Sequence, residues 1–348
     1  MLAQLSDPSN AVRISPLSTH SKSSWRLSRC NRCKGRNLST LAEAGDKGVP
    51  GDIKAGSFRV VITGSTKGLG LALARCFLEK GDRVVVTSRD EARVDLAVNA
   101  LRIEHGDRVF GTTSDVSDAH SVAALSKFAI DELGGVDIWI NNAGANGYSY
   151  ESLADSEPDT LREIVLTNSL GTLLCCREAI KFMSTQSSGG HIFNLLGAGS
   201  DGGPTQKYAA YGHTKAGMVQ LTKTLAEELK GTAVGVHALS PGMVFTELIS
   251  SGRYAFGSQG RFFVNTLAEN PETPALTLVE RVRDFMCKLD SSSAELFGVP
   301  LPRALRGVMG ANSQTFEVLT ADVVVRKLFR RLILGEGKDR FYPEADDS

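Results

Sequence analysis

The chain has 348 residues, 42% of them apolar and 22% charged, with 39 basic and 39 acidic side chains and no formal net charge. That balance excludes a global electrostatic pull toward nucleic acid or an anionic membrane, so no nucleic-acid partner is expected. No apolar run approaches the ~18–20 residues needed to span a bilayer, and the length suits one large domain or two modest ones around a sizeable core.

Residues 1 to about 45 are rich in Ser, Arg and Lys, and up to Leu41 the only acidic residue is Asp7. This is the composition of an organelle transit peptide, chloroplast before mitochondrion because Ser outnumbers Arg; the plainer reading is a basic tail with no address. Gly45 to Gly56 is polar and glycine-rich, a linker composition. Residues 1–55 are therefore expected to be a disordered transit peptide and linker, and 56–348 the folded domain. The six cysteines are Cys30, Cys33, Cys76, Cys175, Cys176 and Cys287. Cys30 and Cys33 have the spacing of a redox pair or of half a zinc site, with no second pair or His cluster to complete it; the pair reads as incidental, and no metal site is expected.

From Phe58 onward short apolar runs alternate with amphipathic stretches. Strands are expected at Phe58–Ile62, Arg83–Thr87, Arg108–Thr113, Val136–Ile140, His191–Leu196 and Val234–Ser240. Helices are expected at Leu71–Leu78, Asp90–Glu104, Asp118–Leu133, Asp159–Met183 and Lys207–Lys230. This alternation at βαβ spacing predicts an α/β fold, a Rossmann-type doubly wound parallel sheet covered on both faces. After Pro241-Gly242 the periodicity weakens. Residues 250–320 read as an irregular insertion on the substrate side of the sheet, helical around Leu276 to Phe285, and Thr320 to Leu334 as a final helix. That helix sets Val324, Val325, Leu328, Phe329, Leu332 and Ile333 beside Arg326, Lys327, Arg330 and Arg331. It is expected to pack on its own domain or a sister subunit, with peripheral membrane contact as the alternative.

The chemistry is concentrated where the strands end. Gly64, Ser65, Thr66, Lys67, Gly68, Leu69 and Gly70 lie between the first strand and its helix. Glycines there let a pyrophosphate approach the backbone, and the helix start offers unpaired N–H donors. The second strand ends in Ser88-Arg89, with Lys67 nearby. Two cations and a hydroxyl suit a 2′-phosphate, which favours NADPH over NADH; the competing reading leaves Arg89 in solvent and gives the ribose to Asp90. Asp115 and Val116 are placed to receive an adenine, although an Asp there is also a helix cap. Asn142, Ala143 and Gly144 are expected to line the cofactor. Tyr211 and Lys215 stand four apart on one helix and face the same way. An ammonium beside a phenol lowers its pKa, so that the tyrosine can give a proton to a carbonyl oxygen.

Taken together, these motifs resemble the short-chain dehydrogenase/reductase family from about Phe58 to Leu248. The resemblance implies that Tyr211 is the general acid and that Lys215 also holds the nicotinamide ribose. It further implies that Asn168 positions a relay water by way of that lysine, and that Pro241, Gly242 and Thr246 meet the nicotinamide end. The family's serine, 12 to 14 residues before the tyrosine, is missing, since Gly197, Ala198 and Gly199 stand there; Ser200 is the nearest hydroxyl to polarise the carbonyl. The family's common Asp-Gly-Gly near the C-terminus is also absent. Residues 190–194 (Gly-His-Ile-Phe-Asn), 197–200, 240–244 (Ser-Pro-Gly-Met-Val) and 271–273 (Pro-Glu-Thr) further resemble the chlorophyll b reductases of plants and green algae, in their form without transmembrane helices. That resemblance implies NADPH-dependent reduction of the formyl group of chlorophyll b or chlorophyllide b to a hydroxymethyl group. It also implies a thylakoid-associated or stromal location, a homo-oligomer and a membrane-bound paralogue as partner. Phe262 and Phe263 are then expected pigment contacts. The alternatives are a general plastid carbonyl reductase and an inactive dinucleotide-binding scaffold.

Overall fold

The computed structural model describes residues 57–147, 151–247, 258–291, 295–296, 299–300 and 313–342. The expected transit peptide and linker lie outside these residues. Chain order begins β1 (Arg59–Ile62), α1 (Gly68–Glu79), β2 (Arg83–Ser88), α2 (Glu91–His105), β3 (Val109–Thr113), α3 (Ala119–Leu133) and β4 (Ile138–Asn141). It continues through α4 (Pro158–Val165), a π turn (Leu166–Leu170), α5 (Gly171–Met183), β5 (Gly190–Leu195), α6 (Ala209–Glu228) and β6 (Val234–Ser240). It ends with α7 (Ser258–Leu267), α8 (Glu272–Ser291), a ribbon of β7 (Glu295–Leu296) and β8 (Val299–Pro300), β9 (Thr315–Glu317) and α9 (Ala321–Leu334).

Seven strands form one parallel sheet in the order β3-β2-β1-β4-β5-β6-β9. Their apolar runs are continuous because both faces are covered. Side chains alternate across each strand, so Val60 and Ile62 pack under α1, α2 and α8, while Val61 packs under α3 and α5. Local chemistry sets the helix ends. Asp90 accepts from Arg93 N to cap α2, and Asp118 accepts from His120 N and Ser121 N to cap α3. The strand order reverses between β1 and β4, which opens a crevice at their carboxyl ends.

Of the expected insertion over 250–320, the helix around Leu276 to Phe285 is present as α8 but faces the core, and residues 250–257, 292–294, 297–298 and 301–312 lie outside the described residues. Ala275, Leu278, Val279, Val282 and Met286 on α8 recur at helical spacing and are buried in the core shared with α1. With α1 and α2, this helix covers one face of the sheet. Val264 and Leu319 are the contributions of 258–320 to the crevice among the described residues. Phe262 and Phe263, expected to touch pigment, do not line it. Phe262 packs under the Arg331 guanidinium, 5.2 Å from its ring centre, and Phe263 is about half exposed. The helix expected over 159–183 is interrupted by the π turn. There Val116 presses on Gly171, where a Cβ would lie 2.8 Å from the valine methyl, and Asn168 O accepts from Thr172 Oγ1 at 2.8 Å. Helix α9 packs against α7 and leaves Val325, Phe329, Leu332 and Ile333 exposed. No helix among the described residues is long and apolar enough to cross a membrane.

Candidate active site

The crevice has a volume of about 980 Å³. Gly64, Thr66, Lys67, Gly68, Leu69, Gly70, Ser88, Arg89 and Val116 line one part of it. Asn142, Ala143, Gly144, Tyr211, Lys215, Pro241, Gly242 and Thr246 line another part. Of the residues expected to bind or act, Ser65, Asp115, Asn168 and Ser200 do not line it.

The glycine loop is tightly determined. Gly64 has φ +63°, and a Cβ there would lie 2.9 Å from Ala143 Cα. A Cβ on Gly70 would meet Asn142 Nδ2 and Gly64 O, each at 2.4 Å. Asn142 Nδ2 donates to Thr63 O and Gly64 O, and Thr63 Oγ1 accepts from the backbone of Asn142 and Ala143. Thr63 thus knits the two loops together, a role sequence reasoning missed. Ser65 is fully buried; its hydroxyl donates to Ile62 O and accepts from Thr87 N, so it pins β1 to β2 and does not line the crevice. Helix α1 begins at Gly68 with no side-chain cap, which leaves its first N–H groups directed at the crevice. These donors, the room left by the glycines and the cations on the rim fit a dinucleotide.

Asp115 closes a turn on Ser117, whose N and Oγ both donate to Asp115 Oδ1, and Val116 is the member of the pair that faces the crevice. Asp90, the alternative ribose acceptor, caps α2 and pairs with Arg93 at 3.2 Å. Arg89 Nη2 lies 3.0 Å from Glu163 Oε1, and Lys67 Nζ lies 2.5 Å from Glu247 Oε2. Glu163, Glu247 and Arg93 line the crevice, and all three escaped sequence reasoning. Thr246 leans on the glycine loop, with its methyl 3.4 Å from where a Gly68 Cβ would be. Its segment is held by a parallel bridge between Val244 and Glu269.

Tyr211 and Lys215 do meet in the crevice, on the first turns of α6. Lys215 Nζ donates to Leu195 O at 2.9 Å and stands 5.6 Å from the centre of the Tyr211 ring. The expected lowering of the phenol pKa is reversed in the protein alone. Burial, and then the neighbouring Tyr208, push the phenol up, and burial pulls the lysine down to about 8. The reason is geometric: the amine faces the ring and the Leu195 carbonyl, while desolvation acts on both groups. A Cβ on Gly197 would lie only 2.5 Å from Tyr211 Oη, so the hydroxyl rests in the space of a missing side chain.

Two expected catalytic residues take other positions. Ser200 Oγ accepts from Gly197 N at 3.0 Å, while Ser200 N donates to Gly197 O. Its hydroxyl closes its own turn, because a serine three residues on reaches back to the turn's first N–H more easily than across to the crevice. Asn168 is buried in the π turn. Its amide donates to Ala145 O and Thr214 Oγ1, and its Oδ1 accepts from Ala145 N. It clamps the loop after β4 to α6, next to Tyr211 and Lys215, and its contacts are positional.

Residues 59–254 match the short chain dehydrogenase family, and the chain belongs to it. It is an NAD(P)H-dependent oxidoreductase that takes a nicotinamide dinucleotide. The chain is 45% identical over 290 residues to chlorophyll(ide) b reductase NOL, chloroplastic, of Arabidopsis thaliana, a match that covers 82% of this chain and 77% of that protein. It is 46% identical over 246 residues to the probable chlorophyll(ide) b reductase NYC1, chloroplastic, of Oryza sativa subsp. japonica, covering 66% of this chain and 48% of that protein. The chain thus spans about half the length of the latter. Among solved structures, 3-ketoacyl-(acyl-carrier-protein) reductase from Brucella melitensis, complexed with NADH, shares the fold at TM-score 0.58 and 24% identity, over 76% of this chain and 97% of that one.

Proposed function

We propose that this enzyme reduces the formyl group of chlorophyll b or chlorophyllide b to a hydroxymethyl group with NADPH, in the chloroplast. The observation that carries the reading is the convergence of Tyr211 and Lys215 with an uncapped helix start and a glycine loop in one crevice. The substrate and compartment rest on the two named relatives and on the Ser- and Arg-rich N-terminal residues. The choice of NADPH rests on Arg89 and Lys67 at the rim, with Asp90 already engaged by α2.

The glycine loop, Lys215 and the Pro241-Gly242 segment would hold a reduced nicotinamide dinucleotide, which would supply a hydride for the carbonyl carbon. Tyr211 Oη gives its proton to the carbonyl oxygen as negative charge develops there. A phenol raised by burial keeps its proton until that charge appears. Lys215 is protonated below about pH 8, and its ammonium then stabilises the phenolate left on Tyr211. Asn168 positions this pair through Thr214, whose hydroxyl donates to Tyr211 O at 2.7 Å. Ser200 holds the turn that presents Gly197 to the phenol. Assembly as a homo-oligomer and pairing with a membrane-bound paralogue belong to the same proposal; the exposed Val165, Leu166, Leu170 and Leu173 along α4, the π turn and α5 support a subunit contact.

The test is NADPH oxidation with chlorophyllide b and, separately, with a simple aromatic aldehyde. The expected result is turnover of the pigment at a kcat/KM at least about 100-fold above the aldehyde's. Equal use of both would indicate a general carbonyl reductase, and use of neither an inactive scaffold.

A further inference from the structure

Two of the cations that line the crevice, Arg89 and Lys67, are each held by a carboxylate from a distant element that also lines it. Arg89, at the end of β2, reaches across to Glu163 on α4, and Lys67, in the glycine loop, reaches across to Glu247 beyond β6. Each pair joins two different elements that line the crevice, and neither is buried: the side chains keep 58% and 40% exposure in the first pair and 41% and 68% in the second. Exposed pairs of this kind contribute little to stability. A fold has little reason of stability to place them here, and the pairs occupy the groups that an incoming phosphate needs.

We propose that Glu163 is a specificity-determining residue: a built-in counter-ion that competes with the cofactor's 2′-phosphate for Arg89 and so sets the affinity for NADPH. The inference rests on the NADPH reading above. A phosphate dianion offers more charge and more acceptor oxygens than a carboxylate, so exchange of partners on Arg89 is favourable. The loss of the Arg89–Glu163 pair and the repulsion left between Glu163 and the phosphate both reduce that gain. The carboxylate therefore tempers NADPH binding, keeps the guanidinium positioned, and helps product NADP⁺ to leave. The geometry of Lys67 and Glu247 repeats the arrangement.

The experiment measures Kd for NADPH and for NADH by fluorescence titration on the full chain. It compares the unaltered protein, Glu163→Gln, Arg89→Ala and the double variant, at two salt concentrations. Glu163→Gln should tighten NADPH by about two- to five-fold, the range that an exposed ion pair's energy converts to, and leave NADH unchanged. The gain should shrink at high salt. It should vanish in the double variant, where the cation is gone. A Glu163→Gln protein that binds NADPH no more tightly, while the unaltered protein prefers NADPH and loses that preference with Arg89→Ala, overturns the inference alone. An unaltered protein that binds NADH as tightly as NADPH, with no effect of Arg89→Ala, overturns the NADPH reading and the inference with it.

Discussion

Replacing Lys215 with methionine keeps most of the side chain's length and removes a buried amine. In the fold the lysine pKa falls from 10.5 to about 8, and burial is the cause. Each unit is worth about 1.4 kcal/mol, so holding the ammonium inside at pH 7 costs about 3 kcal/mol. The variant also loses the donor to Leu195 O and leaves that carbonyl without it, at about 1–3 kcal/mol. The absolute change at pH 7 therefore lies between about zero and ~2 kcal/mol of added stability. Its pH dependence is sharper. The folded-state pKa is depressed, so between about 8 and 10.5 the unfolded chain binds more protons than the native one, and the stability of the unaltered protein rises with pH across that window. The methionine variant has no such rise. Its advantage should shrink by about 1.4 kcal/mol between pH 7 and 9 and by about 2.5 kcal/mol by pH 10. Urea unfolding of both proteins without cofactor, followed by fluorescence of the buried Trp139, measures this difference and cancels groups the two share. A difference that stays constant from pH 7 to 10 would refute the reasoning, because Lys215 would then titrate alike in both states.

Other outcomes follow from the same geometry. Gly197→Ala should lower kcat by at least about ten-fold with little change in cofactor Kd, since the new methyl takes the space of the Tyr211 hydroxyl. Steady-state kinetics and direct binding separate the two effects. Ser200→Ala should keep kcat within about five-fold of normal, because the hydroxyl serves Gly197 N; a loss of about 100-fold or more would return the carbonyl-polarising role to Ser200. His237 lies buried among Phe193, Phe285 and Phe316, 3.0 Å from His191, and is held well below its ordinary pKa by burial and then by His191. Only the unfolded state takes up that proton below about pH 6.5, so stability should fall as pH drops from there, by at most about 1.4 kcal/mol per unit. His237→Leu should flatten the slope in urea titrations at pH 5 to 7.

The parts of the site legible in the sequence are those made within one loop or one helix. The glycine loop lies between a strand and its helix in the chain itself, and Tyr211 and Lys215 share a helix face at any tertiary arrangement. Pairings across the crevice were not legible. Glu163 and Glu247 stand 74 and 180 positions from their partners, and no local pattern marks either as a counter-ion. Ser200 shows the opposite failure: its position near the missing serine suggested a role, and in the fold its hydroxyl accepts from Gly197 N and does not line the crevice. The direction of the tyrosine shift needed burial and the aim of the amine, neither of which spacing contains. In the C-terminal part, β9 buries only Phe316 of its three residues, too little for a period-2 signal. Helix α8 begins at Glu272, four residues before the expected helix, with Pro274 in its first turn.

The most direct measurement is single-turnover NADPH oxidation with chlorophyllide b by Tyr211→Phe, alongside NADPH titration of the same protein. The account predicts that turnover falls by about 1,000-fold or more while NADPH Kd changes by less than about three-fold, since the phenol gives the proton and the glycine loop and rim cations hold the cofactor. Turnover by the phenylalanine variant at the rate of the unaltered enzyme would contradict it.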